Sequence, residues 1–413
     1  MRTTPALVTA ALAAGIAVPA QAQSQDATDQ RLEELERKVD ILSEEAARKD
    51  SGSEDRLSIG GYGEGYFKSA APGDNETDFY RQTIYLGYAF SDTIHLSAEL
   101  EWEHSEETAV EFAYLDFMLS DRANVRAGMM LTPLGFINEE HEPTTYFGNI
   151  RPTVERQIIP TTSRENGVGL WGELGDSVEY KLYVQNSFDG SGLSGDNLRG
   201  IRQKGYEAKA EDLAVTGQLR WHPVTGTTLG VSGWRGNLGQ GQTFDGQTPD
   251  VPMTLWDVHA AYERGNWRLR ALYTQATLDD TLAVNNQALA DLQSSNPGAT
   301  AADVSAVAEK LTGWYVEAGY DIMPALGGPA EQSLYPWVRY SALDTQASLA
   351  SGVKNAGFTK DPANDRTVTE VGLHYMPHPQ VVVKAEYRDW SSEADAASAN
   401  NQDEYVVGLG YQF

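Results

Sequence analysis

Residues 403–413 read DEYVVGLGYQF and end the chain. With a period of two, Tyr405, Val407, Leu409, Tyr411 and Phe413 share one face, and Glu404, Val406, Gly408, Gly410 and Gln412 share the other. One side is aromatic and aliphatic; the other is small or polar. At the free edge of a soluble protein such a strand would template aggregation. A strand that closes a barrel in lipid has no free edge, and there the same pattern is stable. Its expected partner is the first strand, near Arg56–Lys68.

The same alternation recurs upstream. Ile94, Leu96, Ala98, Leu100 and Trp102 oppose His95, Ser97, Glu99 and Glu101, and Val381, Val383, Ala385 and Tyr387 oppose Lys384, Glu386 and Arg388. Charge on one face with aliphatics and terminal aromatics on the other describes a polar lumen inside a lipid-facing wall. Strands are expected near 56–68, 78–90, 93–104, 108–119, 123–133, 166–174, 177–188, 211–222, 226–237, 253–264, 266–277, 310–322, 333–345, 365–376, 380–391 and 402–413. That is an even set of about 16, enough to leave an aqueous channel. Short turns such as Ser91-Asp92, Gly175-Asp176 and Gly265 alternate with longer connections, which puts both termini at the short-turn, periplasmic end. The fold class is therefore all-β: a transmembrane antiparallel β-barrel preceded by a short N-terminal coiled-coil-like helix.

Composition agrees. The 413 residues include 20 Tyr, 9 Trp, 39 Gly and no Cys, and past the N-terminus no apolar run is long enough for a membrane-spanning helix. Mean hydropathy is −0.43. The formal charge of −28 argues against a nucleic-acid partner. Part of the acid lies in expected loops, such as Glu139-Glu140-His141-Glu142, where solvation is the simplest reading.

Three regions follow. Residues 1–22 have the form of a secretory signal, with Arg2, an apolar core from Ala6 to Val18, and Ala20-Gln21-Ala22 as an A-x-A cleavage site. Residues 23–55 are a periplasmic linker carrying a short heptad helix, with Leu32, Leu35, Val39, Leu42 and Ala46 at a/d spacing. Two heptads are marginal alone, so the helix either associates with its copies in a homotrimer or lies singly as an amphipathic spacer. Residues 56–413 form the barrel, with its third long connection, 134–165, expected to fold inward.

That third connection carries Arg151, Arg156 and Arg164 with Glu155 and Glu165, the candidate pore constriction, where stripped hydration magnifies each charge. Around the lumen wall the inward cations are Arg81, Arg126, Arg220, Arg268, Arg270, Arg339, Lys384 and Arg388. Inward carboxylates are as numerous: Glu64, Glu99, Glu101, Asp116, Asp257, Glu317, Glu370 and Glu386. The wall cations form either a basic track for anions or ion pairs that stiffen the barrel. The connection 278–309 contains AVNNQALADLQ and AADVSAVAEKL, read either as two short helices capping the pore mouth or as a disordered surface loop.

Several stretches carry a family resemblance: LSIGGYGEGYF at the first strand, RAGMMLTPLGF entering the third loop, RPTVERQIIPTTSRENGVGLWG leaving it, and the terminal aromatic strand. With these the chain resembles the phosphate-selective porin O/P family of bacterial outer-membrane channels. The aromatic C-terminus also resembles the recognition signal of outer-membrane barrels. The resemblance implies a sixteen-stranded, trimeric, anion-permeable channel. A phosphate-specific site would call for clustered lysines, and only Lys68, Lys181 and Lys204 lie near the relevant strands and loops.

No motif for nucleophilic, phosphate-loop or metal chemistry appears. Gly61-Tyr62-Gly63-Glu64-Gly65 sits within a strand and is followed by no helix. The expectation is a non-enzyme with no catalytic residue, metal or cofactor. It is an outer-membrane porin of a Gram-negative bacterium, passing small hydrophilic solutes or inorganic anions and bounded by outer-membrane lipid. A loop-based surface binding protein or adhesin on a closed barrel is the alternative, with an outer-membrane hydrolase behind it.

Overall fold

The computed structural model describes residues 56–71, 73–394 and 403–413. The signal sequence and heptad helix expected in residues 1–55 lie outside the described residues. Sixteen antiparallel strands close into one barrel in sequence order. They are β1 (Leu57–Ala71), β2 (Glu76–Ser91), β3 (Ile94–Glu103), β4 (Glu107–Ser120), β5 (Ala123–Leu131), β6 (Arg164–Glu173), β7 (Val178–Asn186) and β8 (Leu213–Trp221). The second half is β9 (Thr227–Asn237), β10 (Pro252–Arg264), β11 (Trp267–Leu278), β12 (Lys310–Tyr320), β13 (Ser333–Ser348), β14 (Asp365–His378), β15 (Val381–Ser392) and β16 (Asp403–Gln412). All sixteen expected strands are present. Closure runs through β16, which pairs with β15 on one side and with β1 on the other, in a register that sets Gly63 opposite Tyr411 and Phe67 opposite Val407.

Polarity is inverted relative to a soluble barrel. On β16, Tyr405, Val407 and Leu409 are more than half exposed on the outside, while Val406 is fully buried. Elsewhere Val168, Leu170, Leu182, Val215, Leu219, Val371 and Leu373 are exposed, while Glu99, Arg81, Arg339 and Glu370 are buried inside. A wall that turns aliphatics outward and ions inward is stable only against hydrocarbon. Exposed Tyr88, Phe90, Trp221, Trp267, Tyr320 and Phe413 ring the short-turn end, with Trp267 edge-on to Tyr320 at 4.8 Å. Amphipathic rings at that level suit an interface between lipid and water.

The connections depart from expectation in two places. Strict alternation of short and long fails at the first two connections of the long-loop end, 72–75 and 104–106, which are as short as turns. In 279–309 only the first expected helix forms, α2 (Thr281–Ser295); the second stretch makes a single 3-10 turn (Ala301–Asp303) and then runs extended. Packing explains this: Ala306, Val307 and Ala308 are consumed in an apolar cluster shared with Val284, Val353 and Phe358. Two short helices complete the loops, α1 (Thr153–Gln157) and α3 (Ser351–Asn355).

The same cluster takes in Leu134, Phe136, Ile137, Val154, Ile158 and Ile159 of the third loop and Leu198 and Ile201 of the fourth. The loops therefore share a core of their own inside the barrel's long-loop end. At about 1.5–3 kcal/mol per fully buried side chain, this is a substantial brake on loop motion.

Candidate functional site: the inner loops and the lumen wall

The third connection runs inward from Leu131 and returns at Arg164, which already pairs with Leu131. Arg164 and Glu165 are thus the first residues of β6 and not of the loop. A segment inside a barrel must still satisfy its backbone groups, and the wall supplies partners around the circumference. Gly135 N donates to Asp257 Oδ2 on β10 and to Ser232 Oγ on β9, both at 3.1 Å. Arg81 Nη2 on β2 donates to His141 O at 2.7 Å, Arg339 Nη2 on β13 to Phe147 O at 3.0 Å, and Lys384 Nζ on β15 to Gly148 O at 2.6 Å. Asn149 N and Ile150 N donate to Glu386 Oε1 at 3.0 and 3.2 Å.

Gly148 is the hinge of this stretch. Its φ of +75° lies in the left-handed region, and an added Cβ would run into the Glu386 carboxylate.

Glu139–Glu142 is not a solvated acidic patch. Lys181 Nζ pairs with Glu139 at 2.7 Å, Arg220 pairs with Glu140, Tyr85 Oη donates to Glu142 at 3.0 Å, and His141 is buried. The partners come from β2, β7 and β8, so no local pattern in the chain announces them. Burial, with Arg151 and Arg81 close by, holds His141 well below the usual histidine range.

The wall cations resolve as pairs. Arg81 bonds Glu64 at 2.7 Å, Arg126 bonds Asp116 through two nitrogens at 2.9 Å each, and Arg268 bonds Glu263 at 2.9 Å with Arg270 beside it at 3.4 Å. Arg339 sits between Glu317 at 2.7 Å and Glu370 at 3.1 Å, and Arg388 between Glu370 at 3.1 Å and Glu404 at 2.5 Å. Arg220 has Glu140. Lys384 differs, with its ammonium on the Gly148 carbonyl and 4.0 Å above the Tyr146 ring. Guanidiniums engaged in this way stiffen the barrel and contribute little net field.

Of the five constriction candidates, the two carboxylates are turned into protein. Glu155 accepts from Phe136 N, Ile137 N and Tyr315 Oη at 2.9, 2.8 and 2.6 Å. Glu165 accepts from Asn186 Nδ2 and Gln203 N at 2.5 and 2.8 Å. Both are fully buried and brace the loops. Arg164 is held by Glu111 at 2.7 Å. Arg156 is exposed on α1, and Arg151 is buried.

The sequence reading missed two residues of the fourth connection, 187–212. That loop crosses the third, with Leu198 N donating to Gln157 O at 2.9 Å, and its tip is tied to the β13–β14 side by Thr345 Oγ1 to Gly195 O at 2.7 Å and Arg366 Nη2 to Asp196 O at 2.9 Å. Arg199 and Arg202 both donate to Thr161 O. Burial, then the like charges of Arg202, Arg156 and Arg151, push Arg199 down to about 9; burial and Arg164 push Arg202 down to about 10. Among the described residues, Arg151, Arg156, Arg199, Arg202 and Lys204 have no carboxylate within 4.0 Å. The signal was available in the sequence: Arg199, Arg202 and Lys204 place three cations in six residues of an acidic chain.

The buried trio Ser232, Asp257 and His259 has the residue types of a hydrolase triad but not its wiring. Ser232 Oγ donates to Asp257, His259 Nδ1 lies 2.6 Å from the other Asp257 oxygen, and Gly135 N–H covers the serine. The imidazole is not placed to take the serine proton.

No family model matches the chain. An uncharacterised protein of Aquifex aeolicus (strain VF5) is 31% identical over 370 residues, 86% of this chain and 80% of that protein. Among solved structures, the outer-membrane channel DcaP of Acinetobacter baumannii is similar at a TM-score of 0.54 and 10% identity, covering 88% of this chain and 99% of that one. An anion-selective porin from Comamonas acidovorans gives 0.52 at 10% identity, covering 86% and 99%. At such identities these likenesses show the shared barrel fold.

Proposed function

We propose that the chain, which belongs to one family with the uncharacterised Aquifex aeolicus protein, is an outer-membrane porin, a passive channel for small hydrophilic solutes that prefers anions. The observation carrying this reading is the contrast within the lumen. Wall arginines are neutralised in pairs, while Arg151, Arg156, Arg199, Arg202 and Lys204 on the inner loops have no carboxylate within 4.0 Å among the described residues. Uncompensated charge at a narrowing sets the sign of the ions admitted. Solutes cross unchanged, so the reading includes no catalytic residue and no cofactor. The DcaP channel and the anion-selective porin support it through their shared architecture. The proposal includes the secretory signal in residues 1–22, the periplasmic linker in 23–55 and a homotrimer, the last resting on the heptad spacing of Leu32 to Ala46. Phosphate specificity is not part of it, since the cluster is built of arginines with Lys204 its single lysine.

One observation favours a second reading, a surface binding protein on a closed barrel: the third loop is fastened to strands around the lumen and shares an apolar core with the other loops. Liposome swelling separates the two. Vesicles carrying the purified barrel should swell in iso-osmotic arabinose at a rate that falls with larger sugars. Swelling no faster than in empty vesicles would favour the closed barrel.

A further inference from the structure

On the outer wall, β7, β8 and β9 enclose a groove of about 530 Å³. Its floor is Gly217 and Gly233, which face each other in register, and its sides are Leu174, Leu182, Leu219 and Val231. Neither glycine has a side chain to fill the wall, and all four flanking aliphatics stand exposed around the gap. Roughly 150 Å³ already holds a benzene ring, so on that scale the groove admits a chain of about a dozen carbons. We propose that it seats one acyl chain of an aminophospholipid of the periplasmic leaflet, whose zwitterionic headgroup rests on the β4–β5 turn. The inference goes beyond the porin reading, since it rests on the barrel lying in the outer membrane and not on conduction.

Position selects the leaflet. Gly217 lies only four residues from Trp221, the exposed aromatic that ends β8 at the short turns, or about 13 Å along the strand. Half of the hydrocarbon core is about 15 Å, so the groove lies in the half nearest the short turns. Charge selects the headgroup. The groove reaches Leu174 and Tyr180, and Tyr180 Oη donates to Arg122 O of the β4–β5 turn at 2.8 Å. Glu173 N donates to Asp121 O at 3.0 Å, which brings its carboxylate to the same lip. Asp121, Arg122 and Glu173 are exposed, and among the described residues none of them forms an ion pair. One cation grouped with two carboxylates suits a phosphate joined to an ammonium: Arg122 takes the phosphate, and Asp121 and Glu173 take the ammonium. A purely anionic headgroup would meet both carboxylates as like charges. A lipid of the opposite leaflet would instead use Arg235, exposed on the outer face of β9 toward the long loops.

The test is native mass spectrometry of the full chain, delipidated in detergent and titrated with phosphatidylethanolamine or phosphatidylglycerol. The first phosphatidylethanolamine should bind several-fold more tightly than any later one, and more tightly than phosphatidylglycerol. Gly233→Leu fills the floor from a position where an added Cβ has its nearest neighbour 3.8 Å away, and should weaken that first lipid about tenfold while the strand keeps its place. Arg122→Gln, on the exposed turn, should weaken it several-fold, and Asp121→Asn/Glu173→Gln should remove the preference over phosphatidylglycerol. Arg235→Gln should bind as the wild type does. Lipids that bind with no privileged first site, a first site that Gly233→Leu leaves within twofold, tighter phosphatidylglycerol in the wild type, or loss in Arg235→Gln in place of Arg122→Gln would each overturn the proposal. So would a dimer that Gly233→Leu dissolves, which makes a second copy of the chain the occupant. Binding is read without conduction, so a barrel that binds this lipid but is silent in bilayers defeats the porin reading alone, whereas one that conducts without a first-lipid site defeats this inference alone.

Discussion

Arg339 shows how much a single lumen residue can hold together. Fully buried, it bonds Glu317 and Glu370 on the strands flanking its own and the Phe147 carbonyl of the third loop. Arg339→Ala leaves the buried Glu317 without its ion-pair partner, while Glu370 keeps Arg388, and should cost about 3–5 kcal/mol in detergent–urea unfolding, whereas Arg156→Ala should stay within about 0.5 kcal/mol. Gly148→Ala meets both a left-handed φ and the Glu386 carboxylate, so a loss above about 1 kcal/mol is expected in the same assay. His141 adds a pH dependence. Its folded value is depressed below the ordinary ~6.5, so the unfolded chain binds the extra proton first. Its contribution is complete above about pH 6.5 and is lost as pH falls toward the depressed value. Thermal midpoints should therefore fall more steeply on mild acidification in the wild type than in His141→Gln; parallel profiles would exclude a role for this residue.

At the scale of the element, the third loop is held by its backbone, and the proposed selectivity rests on arginines of this region. Replacing Arg151 and Arg156 of this loop, together with Arg164 at the start of β6, by Gln should lower the anion-to-cation permeability ratio several-fold, read as a shift of reversal potential in a KCl gradient. An unchanged potential would reject their role at the constriction. Strand positions were legible in the sequence because a period of two records which face meets lipid; parity alone put Glu99, Arg126 and Arg339 inside. The loop's interior was not legible. Glu139 and Glu140 read as solvated because their cations, Lys181 and Arg220, lie 42 and 80 residues away. Glu155 read as a pore carboxylate because nothing local shows that Phe136, Ile137 and Tyr315 claim its oxygens. Arg199 and Arg202 were hidden in a connection whose path over the third loop depends on anchors beyond residue 340.

For the whole molecule, closure is the organising event. β16 completes the sheet by finding β1 across nearly the full length of the chain, so its aromatic outer face meets lipid and its small residues make room inside: a Cβ on Gly410 would strike Pro143 of the third loop, and one on Gly408 would strike Asn149. The terminal strand thus both seals the wall and seats the third loop. Pairing the wall arginines while leaving Arg151, Arg156, Arg199, Arg202 and Lys204 without carboxylates gathers the uncompensated positive charge of the described residues on the third and fourth loops. Planar-bilayer recording of the purified chain in a tenfold KCl gradient tests this most directly. Stepwise conductance with a reversal potential on the chloride side of zero is the predicted result, and either a silent membrane or a cation-side potential would contradict it.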